Sequence, residues 1–401
     1  MNRKFATLLN NIRFWQYTSA FLFVILLVAG AFYYLRHRQQ TDAFSVHSTL
    51  GGNIFPSAIY STATTGTRVI DGFSSHELGN PANEFGIRIT APHRMTKVHI
   101  EVGETPFWDR SVSDFVLPEK NVEYTLYPDV LWRFEALRLN NQAEPVTVPI
   151  EVTIGRDKPV LKNATFSVRS INECLLGYRD DKMNFHETSI FFAAYVNEEH
   201  PMLDQLLREA LNTRIVKRFV GLQQGESQVD KQVYALWYML QKRNFSYSSI
   251  SNTSLSSNVV YSQRVRTLDD ALDSSQINCV DGSVLMASLL RAINIEPVLI
   301  RIPGHMFVGY YSDKQQENLH LLETTMLGDV RLDDYFPDEN LDSISEGKSQ
   351  SEMSKLTFEK AKEYASRKYA EHETNIEEDL PNYMFMKISK ETRAKVQSIG
   401  R

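Results

Sequence analysis

The amino-acid sequence predicts an α+β protein built from an N-terminal transmembrane helix, a β-sandwich domain and a larger α+β domain. Three observations lead to this prediction. Residues 14–35 carry no charge, residues 51–175 contain short runs with strand-like alternation, and residues 188–338 combine helical periodicity with apolar strands. The chain has 401 residues, of which 42% are hydrophobic, and this size and composition suit two domains with buried cores.

Charge and cysteine content exclude two broad classes of protein. The formal net charge is −6 and the sequence contains no basic stripe, so nucleic acid is not expected as a partner. Cys174 and Cys279 are the two cysteines of the chain, which are too few for a disulfide framework. We expect no cofactor.

The apolar run at 14–35 predicts a transmembrane helix, because about 20 apolar residues span the hydrocarbon core of a bilayer. Residues 1–13 would then form a short cytosolic segment and residues 36–50 a stalk. A cleavable signal peptide is the alternative, but the run is long and lacks a small-residue cleavage pattern. Lys and Arg residues slightly favour an N-terminus inside the cell, which predicts a single-pass membrane protein with its bulk on the periplasmic or extracellular side.

The β-sandwich is predicted from clustered β-branched and aromatic residues separated by Gly, Pro, Asn and Asp. Four segments carry this pattern: 86–90, 97–102, 122–128 and 148–154. Spacing of this kind, without a helical pattern in between, is typical of a small antiparallel sandwich. The aromatic residues of this region are interpreted as core or edge side chains and not as a ligand platform: Phe107, Trp108, Tyr124, Trp132 and Phe134.

The α+β domain at 188–338 begins with helical patterns at 198–220 and 230–247. A helix that is apolar almost all round follows Cys279, and such a helix is expected to be buried. Strand-like segments come next. The charged tail at 339–401 is expected to contain helices at 354–372 and 389–398 that pack on the domain, or alternatively to dock an envelope protein partner.

A thiol site is predicted at the start of the buried helix. Cys279 stands where a polar loop enters the helix, and a helix N-terminus favours a thiolate and supplies N–H groups for an oxyanion. His305 follows after one helix and one strand, behind Gly304, which we expect to allow close backbone approach. Glu323 lies on the next strand and is placed to orient the histidine. The side chain of Gln276 is a tentative second oxyanion donor.

Residues 190–335 resemble the transglutaminase-like superfamily of papain-like folds. The matching segments are N-C-V-D-G at 278–282, A-I-N-I-E-P-V-L-I-R at 292–301, G-H-M-F-V-G at 304–309 and E-T-T at 323–325. The helix that ends in F-S-Y at 245–247 resembles the lead-in helix and strand of that family. The resemblance implies that Cys279 is the nucleophile, that His305 is the general base and acid, and that Glu323 replaces the usual Asp as the orienting carboxylate.

Each of these residues also has a simpler interpretation. A cysteine before an apolar helix is often only a small buried side chain, and a histidine is often a satisfied core residue. A metal site built from Cys279, His305, His320 and Glu323 is disfavoured, because no short ligand spacing is present. His320 alternates to the strand face opposite Glu323 and is a poor substitute base.

The sequence therefore predicts a membrane-anchored thiol enzyme acting on amide bonds of envelope or surface proteins or peptides, as a peptidase, an amidase or an acyl transferase. The alternative is a non-catalytic transglutaminase-like surface module that binds or scaffolds envelope proteins.

Overall fold

The structure is a computed structural model that describes residues 12–41, 43–68, 74–248, 257–328, 331–339, 341 and 345–399. Its described helices are α1 (Ile12–Thr41), α2 (Pro56–Thr62), α3 (Phe134–Leu139), α4 (Pro201–Asn212), α5 (Glu226–Lys242), α6 (Leu268–Ser274), α7 (Cys279–Ala292), α8 (Gln350–Glu377) and α9 (Lys390–Lys395). Its described 3-10 helices are Pro81–Asn83, Ser189–Tyr195, Thr324–Leu327 and Leu332–Asp334.

The described strands of the first half are β1 (Ser45–His47), β2 (Asn53–Ile54), β3 (Glu77–Gly79), β4 (Gly86–Thr90), β5 (Thr96–Val102), β6 (Trp108–Asp109), β7 (Ser111–Leu117), β8 (Glu123–Tyr127), β9 (Leu131–Trp132), β10 (Glu144–Ile154) and β11 (Val160–Val168). Those of the second half are β12 (Glu173–Arg179), β13 (Phe185–Glu187), β14 (Ser246–Tyr247), β15 (Val260–Arg264), β16 (Gln276–Ile277), β17 (Pro297–Ile302), β18 (His305–Tyr311), β19 (Leu319–Leu322) and β20 (Met384–Lys387). The predicted α+β class is thus confirmed.

Two sheets in the first half share one hydrophobic core. One has the strand order β1-β4-β8-β3 and the other β2-β11-β10-β5-β7. Alternate residues of β5 are buried, as the sequence alternation predicts, and the aromatic side chains of Phe85, Trp108 and Tyr124 lie in this core. The sheets are mixed and not purely antiparallel, because β2 pairs in parallel with β11 and β3 in parallel with β8. Residues 45–47 of the predicted stalk form β1 and pair with β4.

The second half is organised around α7, of which residues 280–290 are all buried. Its apolar residues surround the helix, so it needs cover on every side. The sheet β19-β18-β17-β20 and the helices α4 and α5 provide that cover. Helix α4 is shorter than the predicted 198–220 segment, whereas α5 and β14 together match the predicted 230–247 helix and strand.

The charged tail is an integral part of this second half. Helix α8 buries Phe358, Ala361 and Ala365, and its outer face carries charged residues that form ion pairs such as Lys355–Glu359. Strand β20 pairs with β17 and completes the four-stranded sheet. The tail therefore packs on the domain, and a docking role for it remains only a prediction.

The N-terminal helix is the point at which the structure contradicts the sequence prediction. Side chains of α1 are described from residue 16 to residue 31, and the large apolar ones from Phe21 to Val28 are exposed. Within the described residues, no helix combines the length and the apolarity required to cross a membrane.

The predictions of a transmembrane helix at 14–35 and of a single-pass membrane protein are therefore wrong on this finding. The predicted placement of the bulk on the periplasmic or extracellular side falls with them, because it depended on the helix. The predicted cytosolic segment 1–13 lies almost entirely outside the described residues.

We expect the C-terminal segment to contribute directly to the stability of the fold. Ile388 is fully buried in the main core, so the replacement Ile388→Ala should lower the free energy of unfolding by about 2 to 5 kcal/mol. Leu380 lies eight positions earlier and is 38% exposed, and Leu380→Ala should change the free energy by about 0.5 kcal/mol or less. Urea denaturation measures both, and equal small effects would contradict the packing described here.

Candidate active site

The N-terminus of α7 is fixed by a capping box and a buried ion pair. The Asn278 side chain accepts a hydrogen bond from the Asp281 backbone N–H at 2.8 Å, and the Asp281 carboxylate accepts one from the Asn278 N–H at 3.1 Å. Asp281 is fully buried and also accepts bonds from the backbone N–H of Arg266 at 2.8 Å and from its guanidinium at 2.5 Å. Cys279, the first residue of α7, is therefore held on a rigid helix end.

A tight hairpin presents His305 at the start of β18. Strands β17 and β18 are joined by Pro303 and Gly304 alone, and Ile302 pairs with His305. Gly304 has a φ of 75°, which favours glycine at the third position of a turn of this kind. Nothing lies within 4 Å of the place that a Cβ at Gly304 would occupy, so its role is the turn conformation and not the close approach that we expected.

Glu323 directly follows β19 and is completely buried. Its Oε2 is 2.6 Å from His305 Nε2. Its Oε1 accepts hydrogen bonds from the backbone N–H and the hydroxyl of Thr325, at 3.0 and 2.7 Å. The hydroxyl of Tyr335 in turn donates to the Thr325 hydroxyl at 3.1 Å. Both carboxylate oxygens are thus engaged, and the imidazole is held in one orientation.

Cys279 is the second titratable neighbour of the His305 imidazole and interacts with it. Because Nε2 is bound to Glu323, Nδ1 is the ring nitrogen left for the sulfur. Burial lowers the pKa of His305, but its interactions with Cys279 and with the carboxylate of Glu323 outweigh burial and raise this pKa to about 10. The raised pKa of His305 therefore favours the protonated imidazole.

A close contact between α7 and the segment after Glu323 brings the three residues together. A Cβ atom at Gly282 would lie 2.7 Å from Thr324 Oγ1 and 2.9 Å from Thr324 Cβ, closer than real Cβ atoms approach. Glycine at this position therefore lets the helix that carries Cys279 reach the turn that carries Glu323. No pattern in the sequence indicates that Gly282 lies against Thr324.

The remaining residues considered from the sequence lie apart from this group or at its edge. Gln276 is exposed on the short strand β16, and its oxyanion role stays a prediction. His320 bonds with Glu226 at 2.9 Å and with the Ser312 hydroxyl at 3.1 Å, so it does not serve as the base. Cys174 is fully buried and burial raises the pKa of its thiol, and both cysteines are free.

Tyr247 is a neighbour of the site to which the sequence analysis assigned no role. It lies on β14, which pairs with β16, and its pKa is raised by burial and by the nearby charges of Cys279 and Glu323. Tyr247 and Tyr335 both line a cleft with a volume of about 800 Å³. The same cleft is lined by Tyr238, Tyr364, Lys242 and Arg331. Its size and mixed polar and aromatic walls suit a peptide segment.

The fold and the site together define an α+β protein with a cysteine–histidine–glutamate group at the edge of a central sheet. Within the described part of the chain, no group of three or more His, Cys, Asp or Glu side chains is arranged to hold a metal ion. Comparison of the chain with protein-family models, with curated proteins and with solved structures gave no match.

The raised pKa of His305 predicts how the stability of the protein and the charge of this residue depend on pH. A histidine whose pKa is raised on folding contributes stability that is complete below the unfolded pKa of about 6.5 and is lost as the pH rises through the folded value. We therefore expect His305 to titrate near pH 10, and its pKa to fall in Glu323→Gln, which removes one of its negative partners.

This titration can be followed by NMR of ¹⁵N-labelled histidine, with the His305 signal assigned from its absence in His305→Asn. Glu226→Gln is a matched control, because it removes a carboxylate from His320 and leaves the His305 contacts intact. A His305 midpoint near 6.5 in the unmodified protein would contradict the described pair.

The Gly282 contact predicts that Gly282→Ala is harmful although alanine favours helices. The added Cβ should force α7 and Thr324 apart, at a cost of about 1 to 3 kcal/mol in the free energy of unfolding. Thr324→Ala in the same chain should restore part of this loss, since it removes the nearest atom. Gly30→Ala, in open space on α1, is the control, and an unfolding midpoint that Gly282→Ala leaves unchanged would refute the contact.

Proposed function

We propose that this protein is a thiol enzyme of the transglutaminase-like type that acts on amide bonds of proteins or peptides. Cys279 is the nucleophile, His305 the general acid and base, and Glu323 the residue that orients and charges the histidine. The observation that carries the proposal is the imidazole of His305, which is hydrogen bonded to the buried carboxylate of Glu323 and has Cys279 as its second titratable neighbour.

In the first half of the reaction, the amide bond is cleaved and His305 acts as the proton donor. The Cys279 thiolate attacks the amide carbonyl carbon, and the electron pair of the carbonyl moves onto oxygen to give a tetrahedral oxyanion. The backbone N–H of Cys279, in the first turn of α7, has no carbonyl partner within the helix and would donate to this oxyanion. His305 then gives its proton to the leaving nitrogen, the carbon–nitrogen bond breaks, and a thioester with Cys279 remains.

The second half of the reaction decides between hydrolysis and transfer. Neutral His305 takes a proton from water or from an amine as this nucleophile attacks the thioester, and Cys279 leaves as the thiolate. Water yields a carboxylic acid, which is peptidase or amidase activity, and an amine yields a new amide. We expect a peptide acyl donor to occupy the cleft lined by Tyr247 and Tyr335, which lies beside the site and is not lined by Cys279, His305 or Glu323.

Thiol alkylation provides the first test. Iodoacetamide should modify Cys279 rapidly and buried Cys174 hardly at all, as measured by mass spectrometry of the intact protein and its peptides. His305→Ala should slow the modification of Cys279 strongly and leave that of Cys174 unchanged. Modification of Cys279 no faster than that of a free thiol, or unaffected by His305→Ala, would refute the thiolate–imidazolium pair.

Turnover provides the second test, and it separates an enzyme from the non-catalytic module. A denatured protein substrate should be cleaved, or should incorporate a fluorescent primary amine, and Cys279→Ser should abolish both reactions. His305→Ala should lower kcat/KM by about 10²-fold or more. A rapidly alkylated Cys279 without any turnover would favour the non-catalytic alternative.

A further inference from the structure

A second cavity, with a volume of about 360 Å³, shares no lining residue with the candidate active site or its cleft. It lies between the sheet β13-β12-β15, the end of β17 and the turn before β20. Two arginines line it, Arg179 from β12 and Arg301 from β17, together with the carboxylate of Glu187. The cavity thus holds two positive charges against one negative charge.

Arg301 is a buried cation with incomplete compensation. The residue is only 9% exposed, and its ion pair is with Glu187, at 3.3 Å between Nη2 and Oε1. Its Nε is buried and has no hydrogen-bond partner among the described residues. Burial accordingly lowers the pKa of Arg301, although the charge of Glu187 acts in the opposite direction. Leaving donors of a buried charged group unused is costly unless another acceptor is supplied.

Arg179 and two aromatic rings shape the rest of the cavity. The guanidinium of Arg179 donates to the Met183 carbonyl at 3.2 Å and lies 5.6 Å from the centre of the Phe185 ring. Phe185 in turn meets Tyr261 edge to face, with ring centres 5.7 Å apart. One wall is therefore charged and another is aromatic, a combination that holds the polar head and the carbon skeleton of a small ligand.

We propose that this cavity is a binding site for a small organic anion, whose carboxylate or phosphate group is held by Arg179 and Arg301. The planar fork of a guanidinium matches both groups, and such charge-assisted bonds are strong when water is excluded. The anion would supply the acceptor that Arg301 lacks and would balance the excess positive charge. No step of the proposed thiol chemistry uses these residues, so the site is separate from the active site.

Calorimetric titration of the full chain tests this assignment, with inorganic phosphate and succinate as the two probes at constant ionic strength. We expect saturable binding of one anion per chain. Arg179→Gln should weaken binding by about tenfold or more, because it removes a charge-assisted contact. Glu187→Gln should strengthen binding severalfold, because it removes the carboxylate that competes for Arg301.

Arg110→Gln is the matched control, since Arg110 is an exposed arginine paired with Glu101 on the sandwich, and it should bind like the unmodified protein. Binding of phosphate alone identifies a phosphate ligand, and binding of succinate alone a carboxylate ligand. The proposal is overturned if neither anion saturates or if Arg179→Gln and Arg110→Gln bind equally. The opposite signs expected for Arg179→Gln and Glu187→Gln keep the test decisive even if an Arg301 variant fails to fold.

Discussion

The burial of the Glu323 carboxylate is the constraint on which the site depends. A buried charge is tolerated only when hydrogen bonds and an opposite charge replace the lost water. Thr325 donates two hydrogen bonds to Oε1 of Glu323, and the imidazole of His305 forms a hydrogen bond with Oε2. The same carboxylate that fixes the orientation of the imidazole also helps to keep it protonated. Geometry and charge at His305 therefore have one common cause.

The position of Cys279 has a different physical origin, namely the packing of α7. Because α7 is apolar on all sides, it must be enclosed, and enclosure leaves little freedom for its first residue. The buried Arg266–Asp281 pair fixes the entering loop, and Gly282 permits the approach to Thr324. Cys279 and His305 are thus positioned by two sets of contacts, one on the helix and one on the strand edge, and the Gly282–Thr324 contact joins the two.

Local patterns in the sequence predicted the parts of the fold that local physics decides. The alternation at 86–90 corresponds to β4, and the apolar run after Cys279 corresponds to α7. Cys279, His305 and Glu323 lie at a helix start, a hairpin start and a strand end, and such boundaries are visible in sequence. The parallel pairing of β2 with β11 and of β3 with β8 is not visible in the sequence, because strands of two and three residues are too short to show an alternation.

Contacts between residues far apart in the chain could not be predicted from the sequence, because no local pattern connects such residues. Strand β20 lies within a charged tail, and only its pairing with β17 shows that it belongs to the sheet. The contact between Gly282 and Thr324 and the bond from Tyr335 to Thr325 join residues that no local pattern connects. Hydropathy alone supported the transmembrane prediction, and it was this prediction that the structure contradicted.

The hairpin of β17 and β18 carries two cations whose compensation differs: His305, which is partly exposed, and Arg301, which is buried. At the end of β17, the hairpin presents His305, whose partner Glu323 is wholly buried and lies 2.6 Å away. Two residues before the turn, Arg301 has a partner at 3.3 Å that is partly exposed, and its Nε has no acceptor among the described residues. A fully compensated cation can store a proton for internal chemistry, whereas an undercompensated one attracts an anion from outside. The hairpin that β17 enters therefore carries a self-contained ion pair, while β17 itself carries a cation with an unused donor.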